Sequence, residues 1–457
     1  VTKIGIIGTG IAGCGAAYHL RDLGEITLLE QDFRPGGHTN TVCVQEEGRE
    51  VPIDTGFIVF NHATYPLLCR LFDELAIPCK PAEMSFSVTH LPRDLEYNGM
   101  GFNKVFAQRR NLFRPSFHKF LREILRFFRE SNDCLKDPAC REWSLRELCE
   151  RKNFGRDFQE LYLIPMGSAV WSTEPGRMLD FPARSFLRFF QNHGFLGVDT
   201  HHRWFTVDGG ARVYLSRMLD AIGGLRLNCK VVQIRRRHDG VEVIAANGER
   251  LVFDRVIIAA HADQALSMLA EPTPLQSSLL SCFSYQKNQA VLHTDPGIMP
   301  SRRRAWASWN YRVEERNEAL VSTTHYWMNA LQGVSRNTDY FLSLNSTERV
   351  DPSRVLYQTE YEHPVFTLSA LKAQKQLPWL NHQDPDQRLY FCGSYFRYGF
   401  HEDAYGSGIA AAASLAAHLR GSSSPADPAV PWLVPDPAIL PLHSVLQGGG
   451  HAPSITL

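Results

Sequence analysis

A two-domain α/β architecture, one domain built on a parallel βαβ core and the other of mixed α+β character, is predicted by three features of this sequence. They are a strand, glycine turn, helix and strand at the very start; a helix, hairpin and apolar strand between residues 208 and 260; and a glycine-stopped strand before an alanine-rich helix near residue 400. The stretches between them lack this pattern and read as a second domain inserted into the first.

The opening run Lys3–Gly13 reads as a buried strand breaking into a glycine turn. A helix follows from Cys14 to Leu23, then the apolar strand Ile26–Leu29, which ends at Glu30 and Gln31. Gly8, Gly10 and Gly13 stand at G-x-G-x-x-G spacing, in the strand-to-helix setting that gives this motif its meaning. Gly8 permits the tight turn. Gly10, with Ile11 and Ala12 behind it, lets backbone reach a pyrophosphate, and Gly13 lets helix and strand pack closely. The pyrophosphate then lies on the positive end of the helix dipole. Glu30 falls where a carboxylate accepts from both hydroxyls of an adenosine ribose. Together these residues predict a Rossmann-like site for an adenine dinucleotide.

A second glycine pair follows, Gly36-Gly37, with His38 and Thr39 behind it. Asp208-Gly209-Gly210-Ala211 then opens a helix carrying Tyr214, Leu215, Met218 and Leu219. After it come the strand Cys229–Ile234, a hairpin over Asp239-Gly240 and Asn247-Gly248, and the buried strand Asp254–Ala260. Near the end, Arg388–Ser394 is a strand with a glycine stop, and Gly406-Ser407-Gly408 is expected to start a helix through Leu419.

In this order the segments resemble FAD proteins of the flavin amine oxidase superfamily, with its two-domain fold. The resemblance implies noncovalent FAD, since no cysteine stands in the helix-start setting that covalent attachment needs. It runs the Gly36-Gly37 turn under the flavin-side phosphate and ribityl chain, and gives Val231 backbone hydrogen bonds to adenine. Gly393 and Ser394 fall by the ribityl phosphate, and the helix start near Gly408 faces the isoalloxazine. Gly56, Phe57, Ile58 and Ala259 complete the implied cofactor-contacting set. Two departures stand out: His38 replaces an arginine, and Ser394 replaces an acidic residue.

Narrower likeness rests on Asp54–Asn61, Ala169–Thr173, Leu292–Asp295, Trp306–Tyr311 and Gly399–Asp403. These stretches resemble a bacterial subgroup of predicted FAD-dependent oxidoreductases. They are also similar to the amino-terminal flavoprotein half of plant cyclopropane-fatty-acid synthases, over roughly residues 1–420. That implies a lipid acyl chain as substrate and a cyclopropane-synthase-type methyltransferase as partner.

By the same resemblance Phe400 lies beside the isoalloxazine and His401 near its pyrimidine edge, with Glu402 also flanking the flavin. His401 is expected either to donate a hydrogen bond to the reduced ring or to act as an acid/base. The bland alternative is that His401 and Glu402 only hold the loop. On the substrate side, Trp306, Trp309, Asn310, Tyr311, His325, Tyr326 and Trp327 alternate aromatic and polar character. They read equally as a tunnel lining, with Asn310 catalytic, or as core. An amine oxidase would carry a lysine bound to a water at flavin N5. Lys287 lies nearby, but Asn288 or Gln289 fits the register better.

The discontinuous FAD domain is expected at residues 1–75, 204–272 and 384–420, and the substrate domain at 76–203 and 273–383. A Pro-rich tail, 421–457, is expected as an extended arm or disorder. Lysine plus arginine equals aspartate plus glutamate at 48 each, so global charge gives no argument for nucleic acid. The ten cysteines show no C-x-x-C spacing, metal ligation is not predicted, and reduced thiols of a cytoplasmic protein are expected. The chain begins in a core strand, so no signal peptide is expected unless a precursor was trimmed. No apolar run approaches the roughly 20 residues that span a bilayer. Residues 103–130 carry basic residues and a Phe stripe at helical spacing. Such a helix lies on the inner membrane face as a peripheral anchor, or packs its Phe face inward.

Three functions stay open: an FAD oxidoreductase desaturating or isomerising a lipid acyl chain (a carotenoid desaturase being a variant), an amine oxidase releasing imine and peroxide, and a non-catalytic flavoprotein partner of a lipid methyltransferase.

Overall fold

The computed structural model describes residues 1–171, 174–198, 200–317 and 319–421. Ser172, Thr173 and the tail 422–457 lie outside them. The chain divides into two units, each discontinuous.

The first unit comprises Val1–Gly37, Ser216–Ser284 and the residues from Leu368 onward. Its core is a five-stranded sheet in the order Leu389–Phe391, Arg255–Ile258, Lys3–Ile7, Glu25–Leu29, Leu225–Arg226, every pair parallel. Strands buried on both faces need apolar residues throughout, and Ile4, Ile6, Ile257, Ile258, Tyr390 and Phe391 are inaccessible to solvent. An antiparallel three-stranded sheet, Val231–Arg237, Gly240–Ala245 and Arg250–Phe253, accounts for the expected hairpin.

Two helices begin earlier than the sequence suggests. The first runs Ile11–Leu20, so Gly13 lies inside it. The second runs His401–Leu419, which places Gly406, Ser407 and Gly408 mid-helix rather than at its start. The reason is a cap that sequence reading overlooked: the Phe400 N–H donates to Asp403 Oδ2 at 3.0 Å. Gly408 instead serves contact between the helices. A Cβ there would lie 2.2 Å from the Ala12 carbonyl oxygen, and one at Gly15 would lie 2.6 Å from the Tyr405 ring.

The second unit comprises His38–Leu215 and Tyr285–Thr367. Residues 38–75 and 204–215 thus group with this unit by contact. Its seven-stranded sheet runs Val355–Val365, Ser284–His293, Phe341–Leu344, Ala319–Trp327, Trp309–Arg316, Phe86–His90, Leu95–Asn98. Trp309–Arg316 and Phe86–His90 pair in parallel. Within the sheet a buried polar chain crosses three strands. His293 Nε2 and His325 Nδ1 each lie 2.7 Å from Ser343 Oγ, and His325 Nε2 lies 2.9 Å from Thr323 Oγ1.

The basic segment forms the helix Pro115–Lys136 and the shorter turns before it. Its Phe stripe turns inward: Phe117, Phe120 and Phe127 are buried, the first two packing with Tyr97 and the last with Phe154 and Phe158. The helix face expected as a membrane anchor is therefore largely core. Among the described residues no helix is long and apolar enough to cross a membrane.

Candidate functional site: a dinucleotide cradle

The cradle forms where Lys3–Ile7 ends. Gly8 takes φ +97°, which a side chain resists, and a Cβ there would lie 2.6 Å from the Ala259 carbonyl oxygen. Its N–H donates to Leu29 O at 2.8 Å, while the Ala259 N–H donates to Ile7 O at 2.8 Å. A Cβ at Gly13 would lie 2.0 Å from Gly8 O. Gly10 differs, because a Cβ there would meet nothing within 4 Å. The turn and the packing thus require Gly8 and Gly13 in the bare protein, whereas Gly10 borders open space at a helix start. The first N–H groups of that helix, at Ile11, Ala12 and Gly13, have no acceptor one turn back. Open space facing those donors is what a pyrophosphate needs.

Glu30 is buried, and its carboxylate is held from two sides. Oε2 accepts the Thr9 N–H at 3.1 Å and the Thr9 hydroxyl; Oε1 accepts the Asp32 N–H at 3.0 Å. Oε2 thus has both its lone-pair sites taken, while Oε1 retains room for a further donor. Sequence reading passed over Thr9, a variable position of the motif. It also ties in the second glycine pair, since the Gly36 N–H donates to Thr9 Oγ1 at 3.1 Å. A Cβ at Gly37 would lie 3.5 Å from Gly10 Cα, so that turn folds back on the fingerprint. Gln31 is exposed. The backbone of Glu30 and Asp32 accepts from Cys229 and Asn228 N–H at 2.7 and 3.0 Å, which brings the start of the Val231 strand alongside.

Near the long helix, Gly393 donates its N–H to Ser407 Oγ at 2.8 Å rather than outward, leaving Ser394 to open a short turn, Ser394–Phe396. Glu402 and Asp403 are buried in the first helical turn, and Phe400 and His401 are half-buried. Burial pushes the His401 imidazole down to about 3, so it is neutral at ordinary pH and suits a hydrogen-bond donor better than an acid/base. Burial pushes Asp403 up to about 6, against the Arg397 guanidinium 3.9 Å away and backbone donors. The Cys14 thiol donates to Thr9 O at 3.0 Å and is pushed up to about 12 by burial, so it is no nucleophile.

Other predicted residues gather in the second unit. Phe57 N–H donates to His38 O at 2.8 Å, and a Cβ at Gly56 would lie 2.1 Å from that oxygen. Gly56 therefore lets the two segments touch. The His38 ring stacks on Tyr361 with centroids 4.7 Å apart, a partnership with no local sequence signal. Thr39 Oγ1 lies 2.7 Å from the Tyr214 hydroxyl, and Ile58 O accepts from Thr206 Oγ1 at 2.8 Å.

Asn310 is corrected. Its Oδ1 accepts from Ser87 Oγ at 2.8 Å and Ala307 N–H at 2.9 Å, and its Nδ2 donates to Ala307 O and His325 O at 2.6 and 3.1 Å. With the amide saturated inside the sheet, it is a strand-fixing residue and not a catalytic one. The neighbouring tryptophans are half-buried against core clusters: Trp306 and Trp327 pack on Met299 and Phe341, and Trp309 packs with the buried Tyr311. Lys287 is exposed and ion-paired to Glu360 at 2.9 Å. Asn288 is buried, with Nδ2 2.8 Å from His363 Nδ1 and Oδ1 accepting from Asn345 at 2.8 Å. Among the described residues no group of three or more His, Cys, Asp or Glu side chains is arranged to hold a metal ion.

A family profile described as flavin containing amine oxidoreductase matches residues 11–336. The chain belongs to that family. Its cofactor is FAD, which the cradle of Gly8, Gly10, Gly13 and Glu30 fits. Cyclohexylamine oxidase from Brevibacterium oxydans IH-35A superposes with a TM-score of 0.66 at 16% identity, over 92% of this chain and 99% of that one. Wild-type putrescine oxidase bound to putrescine superposes with a TM-score of 0.66 at 15% identity, over 91% and 99%. At such identities the likeness speaks for the fold, which is the flavin amine oxidase-like one expected. No curated protein matches the sequence.

Proposed function

We propose that this FAD-dependent oxidoreductase takes a hydride from an aliphatic or allylic carbon of a lipid acyl chain. FAD, when bound, supplies the hydride acceptor. The observation that carries the acyl reading is the strand Ser284–His293. Lys287 is turned to solvent and neutralised by Glu360, while the buried neighbour is the neutral amide Asn288. Such an amide provides no ammonium with which to order water beside a substrate amine. Within the first unit, neutral His401 supports the same reading, since it offers an N–H to an electron-rich ring edge without a positive charge of its own. The resemblance to the flavoprotein half of plant cyclopropane-fatty-acid synthases supports the same substrate, a methyltransferase partner, and work at the cytoplasmic face of the inner membrane.

A second reading is amine oxidation, favoured by the family description and by the likeness to cyclohexylamine and putrescine oxidases. The third, a flavoprotein partner without turnover, has no observation of its own. Anaerobic mixing separates them. Bleaching of the flavin by phospholipid with unsaturated or methyl-branched acyl chains supports the proposal, with the changed chain identified by mass spectrometry. Bleaching by cyclohexylamine or putrescine alone, with peroxide on admitting air, replaces it with the amine reading.

A further inference from the structure

Within the second unit, residues 91–114 and 296–306 build one face that is both cationic and apolar. The short helix Gly101–Val105 packs on the turn Arg303–Ala305. Asn98 fixes the junction, donating Nδ2 to Trp306 O at 2.8 Å and accepting the Met100 N–H at 2.9 Å. Arg110 pairs with Asp94, and Arg302 pairs with Glu96 at 3.1 Å. An open cavity of about 480 Å³ lies on this face, its wall including Leu91, Arg302, Arg303, Trp306 and Arg312.

Large apolar side chains stand in water here: Phe113 is 86% exposed, Phe102 69%, Leu91 43% and Met100 41%. Phe102 rests one side of its ring on the buried Phe106, centroids 4.7 Å apart, and leaves most of it in water; Phe106 and Phe117 fill the position beneath. Interleaved with them are Arg109, Arg114 and Arg304, none in an ion pair within 4 Å among the described residues; Arg109 bonds locally to Asn103 Oδ1 and Phe106 O, and Arg114 lies in the field of Asp94, which Arg110 already binds. An apolar groove on another protein would cover the phenylalanines but leave these guanidiniums unmatched. An anionic bilayer surface takes both in one plane, rings at the headgroup–acyl boundary and guanidiniums over phosphates.

We propose that this face docks the protein on an anionic phospholipid surface through Phe102 and Phe113, with Arg109, Arg114 and Arg304 over the headgroups. The docking elements are the turns that precede the helix Pro115–Lys136, not its buried stripe. The proposal stands whichever substrate is oxidised, because it is read without turnover.

The test is sedimentation of the FAD-loaded protein with vesicles of phosphatidylcholine alone or mixed with phosphatidylglycerol. Partition onto the anionic vesicles is expected to be at least about tenfold stronger and to be released by high salt, which shortens the screening length to about 3 Å at 1 M. Phe102→Ser with Phe113→Ser, and separately Arg109→Gln with Arg114→Gln and Arg304→Gln, should each reduce partition at least about tenfold. Flavin content per chain should stay unchanged in both variants. Phe113→Ser alone, at a side chain almost wholly in water, keeps the test valid where the double variant does not fold. Absence of anionic preference, or equal partition by wild type and variants, overturns the proposal. So does a dimer in sedimentation velocity that the Phe113 variant disperses, which assigns the face to a second copy.

Discussion

Gly408 and Ala12 bring two helices together backbone to backbone: a Cβ at Gly408 would lie 2.2 Å from the Ala12 carbonyl oxygen. The helix that opens on the dinucleotide fingerprint is therefore seated by the helix that opens at His401. Gly408→Val should push them apart and cost about 1–3 kcal/mol or more, with melting temperature and flavin content falling together. An unchanged melting curve would show that the helices have slack.

The glycines of the fingerprint should separate by phenotype. Gly13→Val meets the Gly8 carbonyl and should destabilise the apoprotein. At Gly10 a Cβ meets nothing within 4 Å in the bare protein, so Gly10→Val should leave the fold far less disturbed and bind no FAD. Apoprotein melting temperature and released FAD are the two readouts. Retention of FAD by Gly10→Val would move the pyrophosphate elsewhere.

Glu30→Ala removes the acceptor held by Thr9 and Asp32. FAD binding should weaken by about 1.5–3 kcal/mol for each charge-assisted hydrogen bond lost, measured by equilibrium dialysis. Unchanged affinity would show that the carboxylate only closes its own loop.

His401→Ala should keep FAD bound and lower flavin reduction by the true substrate. Because His401 is neutral, the wild-type reduction rate should show no inflection at the ordinary imidazole range. An inflection near 6.5 that vanishes in the variant would restore an acid/base role.

Acid should weaken the second unit in a predictable direction. Burial pushes His293 from 6.5 down to about 4. Above 6.5 both states hold it neutral, and below that only the unfolded chain takes the proton. Stability is therefore lost as pH falls from 6.5 through about 4, by about 3 kcal/mol in full. Asp54 has the opposite sign. Burial raises it from 3.8 to about 6, so its penalty disappears as pH falls through that window. Asp54→Asn removes this compensation, so its melting temperature should drop more steeply than wild type between pH 6 and 4. Parallel slopes would show that Asp54 ionises freely.

The parallel sheet, the hairpin and the glycine-stopped strand were legible in the sequence because each obeys a local rule of period and punctuation. The start of the long helix was misread for a physical reason: glycines suggest boundaries, whereas Gly408 answers to a neighbouring helix and Asp403 sets the cap. Of the candidate cradle residues, Gly8, Gly13 and Glu30 could be singled out from spacing alone. Thr9, which joins Glu30 to the Gly36-Gly37 turn, could not, since a threonine in a variable motif position carries no signal. The Asn310 assignment failed because alternation along a strand gives the face and not what covers it. The stack of His38 on Tyr361 joins residues far apart in sequence, beyond reach of any local pattern.

The chain through Ser343 has a consequence for where its hydrogens sit. The Asp295 N–H points at His293 Nδ1, 3.1 Å away, so that nitrogen is bare and Nε2 must carry the hydrogen toward Ser343. The serine hydroxyl is then free to donate to His325 Nδ1, and His325 Nε2–H in turn to Thr323. This is the arrangement in which the serine's own proton also finds an acceptor. Both imidazoles are thereby fixed as the same tautomer, and the bonds run head to tail across three strands. The interior of the sheet holds a polar wire with one sense of direction, which cannot be reversed without turning every link at once.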